Sequence, residues 1–376
     1  MHLRSNRVEH RLLLVVATVL LSGGAVWAQQ TAVPQQAPSL TVDRDPVPSP
    51  DADKAPPAVT GAAGQQGGVG QVSRGAGGRY TLRQDVGEVR LNASAIDSSG
   101  RSVQDLTQDA FHVFEDGVPQ TIASFRHEDL PVSLGILIDS SGSMYDKRAA
   151  VGKASLDLVR LSNPEDEAFL VDFSWEAFID QDFTSDVAKL EAGLSYVKSS
   201  GGTAIYDAVV ASADYLTKNA KRPKQVLLLV TDGEDNASST TLEDAIRRVQ
   251  DLDGPVIYCV GLLFGPDSDK RESRHARRVL ETLAEQTGGV AYFPRKLDEV
   301  DAIAGQVAKD IREQYTISYR STKAAALGGY RTVHVDAKAK GYSRLTVRTR
   351  TGYFPKVNGD TGSKAGAGMT PGSKRP

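Results

Sequence analysis

A short run near the middle of the chain, IDSSGSM at residues 138–144, places an acid and two serines at alternate positions. Asp139, Ser141 and Ser143 come directly after residues 134–138, an apolar stretch that predicts a buried strand. In an open α/β sheet, ligands bind at the carboxyl ends of the strands. The three side-chain oxygens of this loop could therefore point at one cation.

Two later segments supply oxygen atoms of the same kind. In SSGGTAIYDA, Thr203 precedes a predicted helix and follows two glycines, which allow close approach of the backbone. In LLLVTDGEDN, Asp232 follows the most hydrophobic strand of the chain. The complete set is two carboxylates and three hydroxyls, from Asp139, Ser141, Ser143, Thr203 and Asp232. These hard oxygen ligands suit Mg²⁺, Mn²⁺ or Ca²⁺ and not zinc, so we predict a divalent-cation site.

Each of these residues also has a simpler explanation. Asp and Ser after a strand often form turns or cap the next helix, but the presence of all three segments favours the cation site. Glu234 and Asp235 extend the second loop and are interpreted as solvated charges. Asp207, one helical turn past Thr203, is interpreted as support for the loop.

The three segments lie in a stretch where predicted strands and helices alternate. The strands are at 134–138, 168–173, 177–183, 225–231 and 256–262, and the helices are at 147–161, 186–197, 204–217, 242–252, 274–287 and 298–312. This alternation predicts an α/β fold, a doubly wound and mainly parallel sheet with helices on both faces.

Strand patterns flank this stretch on both sides. EVRLNASAID alternates before it, and FHVFEDGVPQTIASF contains the hairpin signal Asp116-Gly117, with Pro119 indicating an edge strand. QYTISYR, YRTVHVDA and RLTVRTRTGYF predict three strands after it. We expect the two sets to form one small β module that the α/β domain splits; a separate C-terminal sheet is the alternative.

The N-terminus has the pattern of a secretory signal. Arg4, Arg7 and Arg11 precede or flank an apolar run over 12–21, and small residues lead to Ala28. We predict cleavage after Ala28 and a secreted or periplasmic protein without a membrane span. An uncleaved anchor is the alternative, although the run is shorter than the roughly 20 residues that a span needs.

The composition limits the classes of function. Across 376 residues the formal net charge is -3, and no basic domain-wide patch suggests nucleic-acid binding. Cys259 is the one cysteine, so an intrachain disulfide is excluded. Residues 29–79 are rich in Gln, Pro, Ala and Gly and predict a disordered linker, and the tail at 358–376 is interpreted in the same way.

DxSxS, a distant GGT and a distant TDG, in that order on an α/β pattern, resemble the von Willebrand factor type A domain over about 130–312. The flanking strands at 80–129 and 313–357 are similar to those of the VWFA-related group found in acidobacterial proteins. The resemblance implies a metal-ion-dependent adhesion site. Ser141 and Ser143 would bind the metal directly, Thr203 directly or through water, and Asp139 and Asp232 largely through water.

The resemblance further implies that a Glu or Asp carboxylate of a partner protein completes the metal's coordination. Some relatives bind a second cation with two adjacent acids; here Asp146 is followed by Lys147, which disfavours that site. We therefore predict an extracytoplasmic, metal-dependent protein-binding module that is not an enzyme. One alternative is a structural envelope or secretion component with a stabilising metal.

A metal-dependent hydrolase is the other alternative, because two aspartates and Mg²⁺ also serve phosphoryl chemistry. Such an enzyme needs a nucleophile, a general base or a second metal. The six histidines lie away from the predicted strand ends: His2, His10, His112, His127, His275 and His334. GxSxG, HExxH and Walker-type motifs are absent from the sequence, so the binding module is favoured.

Overall fold

The structure is a computed structural model that describes residues 72–74, 80–82, 88–161, 163–195, 201–252, 254–264 and 270–356. The predicted signal peptide, most of the predicted linker and the tail at 358–376 lie outside these ranges. Near the end of the linker, β1 (Val72–Arg74) pairs antiparallel with β2 (Tyr80–Leu82). A strand therefore occupies residues 72–74 of the segment predicted as disordered.

A six-stranded sheet forms the centre of the α/β part. Its strands are β7 (Val132–Asp139), β8 (Glu167–Phe173), β9 (Ala177–Thr184), β10 (Lys224–Thr231), β11 (Val256–Gly261) and β12 (Ala291–Tyr292). The spatial order is β12-β11-β10-β7-β8-β9, and β9 is antiparallel to its neighbour while the other pairs are parallel. The mainly parallel sheet is confirmed. The short edge strand β12 was not predicted.

Helices cover both faces of this sheet, which confirms the doubly wound fold. They are α1 (Arg148–Arg160), α2 (Val187–Leu194), α3 (Ile205–Asn219), α4 (Leu242–Asp251), α5 (Lys270–Thr287) and α6 (Val300–Arg312). The first, second and sixth helices share one apolar core, and α3, α4 and α5 share the other. In the described ranges, no helix has both the length and the apolar character that a membrane crossing requires.

The connections after β7 and β10 determine where the sheet can bind a ligand. These two strands are neighbours, but β7 leads to α1 on one face and β10 leads to α4 on the opposite face. The chain therefore diverges between them, and a crevice opens at their carboxyl ends. This is the topological switch point at which open α/β sheets bind ligands.

The flanking strands form two four-stranded antiparallel sheets. The N-terminal strands are β3 (Glu88–Asp97), β4 (Phe111–Glu115), β5 (Val118–Gln120) and β6 (Ile122–Arg126). The C-terminal strands are β13 (Tyr315–Arg320), β14 (Arg331–Ala337), β15 (Leu345–Arg348) and β16 (Gly352–Tyr353). The orders β15-β3-β13-β6 and β16-β14-β4-β5 mix both ends of the chain around one core.

The expected β module is therefore built from both ends, and the alternative of a separate C-terminal sheet is wrong. Asp116 and Gly117 have the positive φ angles of 48° and 78° that a tight hairpin needs, and Pro119 lies on the edge strand β5. The last predicted strand divides into β15 and β16, which belong to different sheets.

Candidate metal centre

Three loops lie at the carboxyl-terminal edge of the central sheet, beside the switch point. The first follows β7 and carries Ser141 and Ser143, and the second follows β10 and carries Asp232. The third leads into α3 and carries Thr203, while Asp139 is the last residue of β7. The predicted residues come together because neighbouring parallel strands end at the same edge of the sheet.

Asp139 is fully buried, and both of its carboxylate oxygens accept hydrogen bonds. Oδ1 accepts from the Ser141 N–H at 2.8 Å, and Oδ2 accepts from the Thr231 hydroxyl at 2.6 Å. Burial raises the pKa of Asp139 to about 6, while the hydrogen bonds from Thr231 and Ser141 oppose this shift. Asp139 therefore joins the first two loops, and Thr231 is a site residue that the sequence analysis missed.

Ser141, Ser143 and Asp232 form a hydrogen-bonded row. The two serine Oγ atoms lie 3.2 Å apart, and Ser143 Oγ donates to Asp232 Oδ1 at 2.8 Å. Neighbouring ligands of an octahedral Mg²⁺ ion, with metal–oxygen distances of roughly 2.0–2.1 Å, are about 3 Å apart. The spacing and the oxygen chemistry of this row therefore fit a small divalent cation.

Thr203 is buried, and Asn236 of the second loop holds its backbone. Asn236 Oδ1 accepts from the Thr203 N–H at 2.9 Å, and the Asn236 N–H donates to the Thr203 carbonyl at 3.0 Å. The Thr203 hydroxyl lies near Gly233: a Cβ added at Gly233 would be 4.0 Å from Thr203 Oγ1. Asn236 was also missed, although an amide side chain beside TDG is a signal for such loop bonding.

The two glycines before Thr203 make room for Trp175, which lies in the turn between β8 and β9. A Cβ at Gly201 would be 2.4 Å from Trp175 Cδ1, and one at Gly202 would be 2.8 Å from Trp175 Cζ3. Gly201 also has a φ of +90°, which an L side chain rarely adopts. The indole thus packs against this loop, although Trp175 as a residue stays 64% exposed.

Lys147 extends its ammonium group to the candidate centre. Its Nζ lies 2.5 Å from Asp232 Oδ2, and the Asp232 side chain is only 1% exposed. Asp146, the residue considered for a second cation, is exposed. The sequence indicates that Lys147 disfavours a second site, but its ion pair with Asp232 was not predicted.

Asp207 and Asp235 accept hydrogen bonds from backbone N–H groups. Asp207 accepts hydrogen bonds from the N–H groups of Ser239 and Thr240 at 2.8 and 2.9 Å. Asp235 accepts from the Tyr206 N–H at 3.1 Å, so its charge is not simply solvated as the sequence suggested. Both carboxylates therefore tie α3 to the loop after β10.

A groove of about 740 Å³ opens beside the row of oxygens, and Ser143, Thr203, Asp232 and Phe264 are among the residues that line it. Across the described ranges, no group of three or more His, Cys, Asp or Glu side chains is placed to hold a metal ion. The candidate centre differs from such groups because three of its five predicted ligands are hydroxyl side chains and only two are carboxylates.

The family comparison matches this part of the chain. Residues 134–234 match the model of the von Willebrand factor type A domain. A stretch of 170 residues is 30% identical to calcium-activated chloride channel regulator 3A-1 of Mus musculus, covering 43% of this chain and 17% of that protein. The chain therefore spans less than a fifth of the length of this relative.

Solved structures that are similar to this chain include the vWF domain of the type V pili tip protein Mfa5 from Porphyromonas gingivalis. Its TM-score is 0.41 at 13% identity, over 49% of this chain and 95% of that chain. A von Willebrand factor type A protein from Catenulispora acidiphila has a TM-score of 0.41 at 15% identity, over 72% and 75% of the two chains. The family match at 134–234 contains all five predicted metal ligands, and the chain carries a von Willebrand factor type A domain.

Proposed function

We propose that Asp139, Ser141, Ser143, Thr203 and Asp232 hold Mg²⁺, or Mn²⁺ or Ca²⁺, and that the loaded site binds an acidic side chain of a partner protein outside the cytoplasm. The observation that carries this proposal is the row of oxygens from Ser141 to Asp232 at the mouth of an open groove. The type A domain at about 130–312 is the binding module in this proposal, and the β module at 80–129 and 313–357 is its support.

The contacts within the site suggest which residues bind the metal directly and which contact it through water. Both oxygens of Asp139 already accept hydrogen bonds from the protein, so we assign it to orienting the loop and to contacts through water. Ser141 and Ser143 offer neutral hydroxyl oxygens as direct ligands. A cation bound mainly by neutral oxygens keeps most of its positive charge and so attracts a partner's carboxylate.

A binding role is favoured over hydrolysis by the positions of the histidines. His112 and His334 lie in strands of the β module, and the His127 ring stacks 4.4 Å from the Tyr315 ring in the same module. His275 lies on α5 and is exposed. None of the described residues that line the groove is a histidine, so the groove offers no imidazole as a general base.

Calorimetric titration of Mg²⁺, Mn²⁺ and Ca²⁺ into the full chain tests the site. Ser143→Ala is the sharper variant, because Ser143 is exposed while Asp139 is buried and hydrogen-bonded. We expect saturable binding that Ser143→Ala abolishes, with an unchanged circular dichroism spectrum. Ser98→Ala, an exposed serine of the β module, is the matched control. Equal binding by wild type and Ser143→Ala would contradict the proposal.

The second step tests the partner. The wild-type chain and Ser143→Ala are immobilised and exposed to extracellular proteins of the source cells in Mg²⁺ or in EDTA. We expect capture that needs both Mg²⁺ and Ser143. Metal binding that raises thermal stability, without any such capture, would favour the alternative of a structural component with a stabilising metal.

A further inference from the structure

Lys147 supplies a positive charge where the proposed cation would act. Its Nζ contacts Asp232 Oδ2 at 2.5 Å, while Asp232 Oδ1 accepts from Ser143 at 2.8 Å. The Lys147 side chain is 19% exposed, and its Nζ lies 5.7 Å from the centre of the Phe264 ring. The ammonium is therefore held in the groove and is not a freely solvated surface charge.

This charge serves the fold when no divalent ion is bound. Asp232 has a 1% exposed side chain, and Asp139 is a second buried carboxylate at the end of the adjoining strand β7. Buried carboxylates without a compensating charge are costly, so an ammonium at Asp232 stabilises the arrangement of the loops around it. The same ammonium would repel a divalent cation that approaches Asp232.

The groove also offers Lys147 a second acceptor. Glu234 lines the same groove, and its Oε1 is buried without a hydrogen-bond partner in the described part of the chain. An unpaired buried carboxylate oxygen carries a free-energy cost that an ammonium donor would relieve. Glu234 is therefore suited to receive Lys147 when that side chain leaves Asp232.

We propose that Lys147 is a tethered cation that occupies Asp232 in the metal-free domain and moves to Glu234 when a divalent ion binds. This inference rests on the proposed function. If Lys147 acts in this way, the loops adopt their arrangement without metal, and Lys147 lowers the affinity of the site for a divalent ion. Metal binding then requires displacement of a side chain as well as loss of water.

Lys147→Met removes the charge and keeps the length of the side chain. We expect the full chain with this substitution to bind Mg²⁺ about tenfold more tightly, because the repulsion at Asp232 is gone. In EDTA its melting temperature should fall below that of wild type, and saturating Mg²⁺ should raise it more than it raises wild type. Lys147→Arg keeps the charge and should retain an affinity close to that of wild type.

Lys153→Met is the matched control for the loss of one positive charge on α1. Lys153 is 60% exposed and pairs with Asp157 and Asp301 away from the groove, so its loss should leave Mg²⁺ affinity unchanged. Glu234→Gln tests the second position. It should weaken Mg²⁺ binding more in wild type than in Lys147→Met, because only wild type has an ammonium to relocate.

The outcomes separate this inference from the proposed function. Equal or weaker Mg²⁺ affinity in Lys147→Met, with binding still lost in Ser143→Ala, would overturn the tethered-cation role alone. An identical effect of Glu234→Gln in both backgrounds would overturn the relocation. Absence of Mg²⁺ binding in both wild type and Lys147→Met would overturn the inference together with the proposed function.

Discussion

The hydroxyl of Thr231 donates a 2.6 Å hydrogen bond to Oδ2 of Asp139, which joins the last residue of β10 to the last residue of β7. Both residues are fully buried. The Thr231 oxygen in turn accepts from the Gly233 N–H at 3.3 Å. One threonine therefore connects the loop of the two serines with the loop of Asp232.

Thr231→Val should weaken both the fold and the proposed metal site. Valine matches the shape of threonine but leaves Asp139 Oδ2 buried without its donor, at a cost on the order of 1–3 kcal/mol. Urea unfolding measures the loss of stability, and Mg²⁺ titration measures the loss of affinity. Thr231→Ser keeps the hydroxyl and should recover most of both. A valine variant as stable as wild type would show that the bond to Asp139 contributes little.

Asn236→Ala should loosen the loop that presents Thr203. The substitution removes the acceptor of the Thr203 N–H, at a cost of about 1 kcal/mol, and we expect Mg²⁺ affinity to fall several-fold. Trp175 packs on the two glycines of this loop, so its fluorescence should change as well. Trp27, the one other tryptophan, lies in the predicted signal peptide, and Trp27→Phe in the full chain leaves Trp175 as the single reporter.

Asn236→Asp is the matched control, because it retains an oxygen that can accept from Thr203. It should keep the wild-type emission of Trp175. If Asn236→Ala left both the emission and the affinity unchanged, Thr203 would not depend on this contact.

Long apolar runs made the centre of the fold predictable. QVLLLVT predicted β10 within one residue, because residues 226–230 alternate between two covered faces of the sheet and are therefore all apolar. The two-residue strand β12 is too short for a pattern. It lies against β11 because Gly289 has no side chain: a Cβ there would be 2.0 Å from the Ile257 carbonyl oxygen.

The alternation of apolar and polar residues along the chain also does not specify which strands pair in a sheet. RLTVRTRTGYF alternates throughout, yet β15 pairs with β3 and β16 pairs with β14. The proximity of Asp139, Ser141, Ser143 and Asp232 could be predicted because these residues lie at or just after the ends of the neighbouring strands β7 and β10. The contacts of Lys147 and Thr231 depend on which loops become neighbours and on side-chain directions, so one-dimensional spacing could not predict them.

Arg331→Met should destabilise the β module strongly. Arg331 is 1% exposed and pairs with Glu115, joining a C-terminal strand to an N-terminal one. Glu115 also accepts from the hydroxyls of Tyr319 and Tyr353, both at 2.8 Å. Removing the guanidinium leaves this carboxylate buried without a cation, which costs about 3–5 kcal/mol. Urea unfolding monitored by circular dichroism measures the loss.

Arg320→Met, at an exposed position on β13, is the control and should change stability little. Arg331→Met combined with Glu115→Gln should be less destabilising than the sum of the two single changes, because the unpaired charge is absent. Strict additivity would show that the pair does not hold the two ends of the chain together.

Lys224 makes stability depend on pH in the alkaline range. Its Nζ is buried and donates to the Ile311 carbonyl at 2.6 Å. Burial lowers the pKa of Lys224 from 10.5 to about 8, although Asp129, Asp166 and Asp310 oppose the shift. Below pH 8 the lysine is charged in both the folded and the unfolded chain. The full cost of burying the charge therefore lowers the free energy of unfolding in this range.

Between pH 8 and 10.5 the folded chain loses this proton while the unfolded chain keeps it, so the free energy of unfolding should rise with pH. The rise from this group is on the order of 3 kcal/mol. Urea unfolding of wild type and Lys224→Met from pH 7 to 10.5 isolates it, because titration of the other groups cancels in the difference. We expect wild type to gain stability relative to Lys224→Met across this window; a constant difference would mean that Lys224 titrates normally.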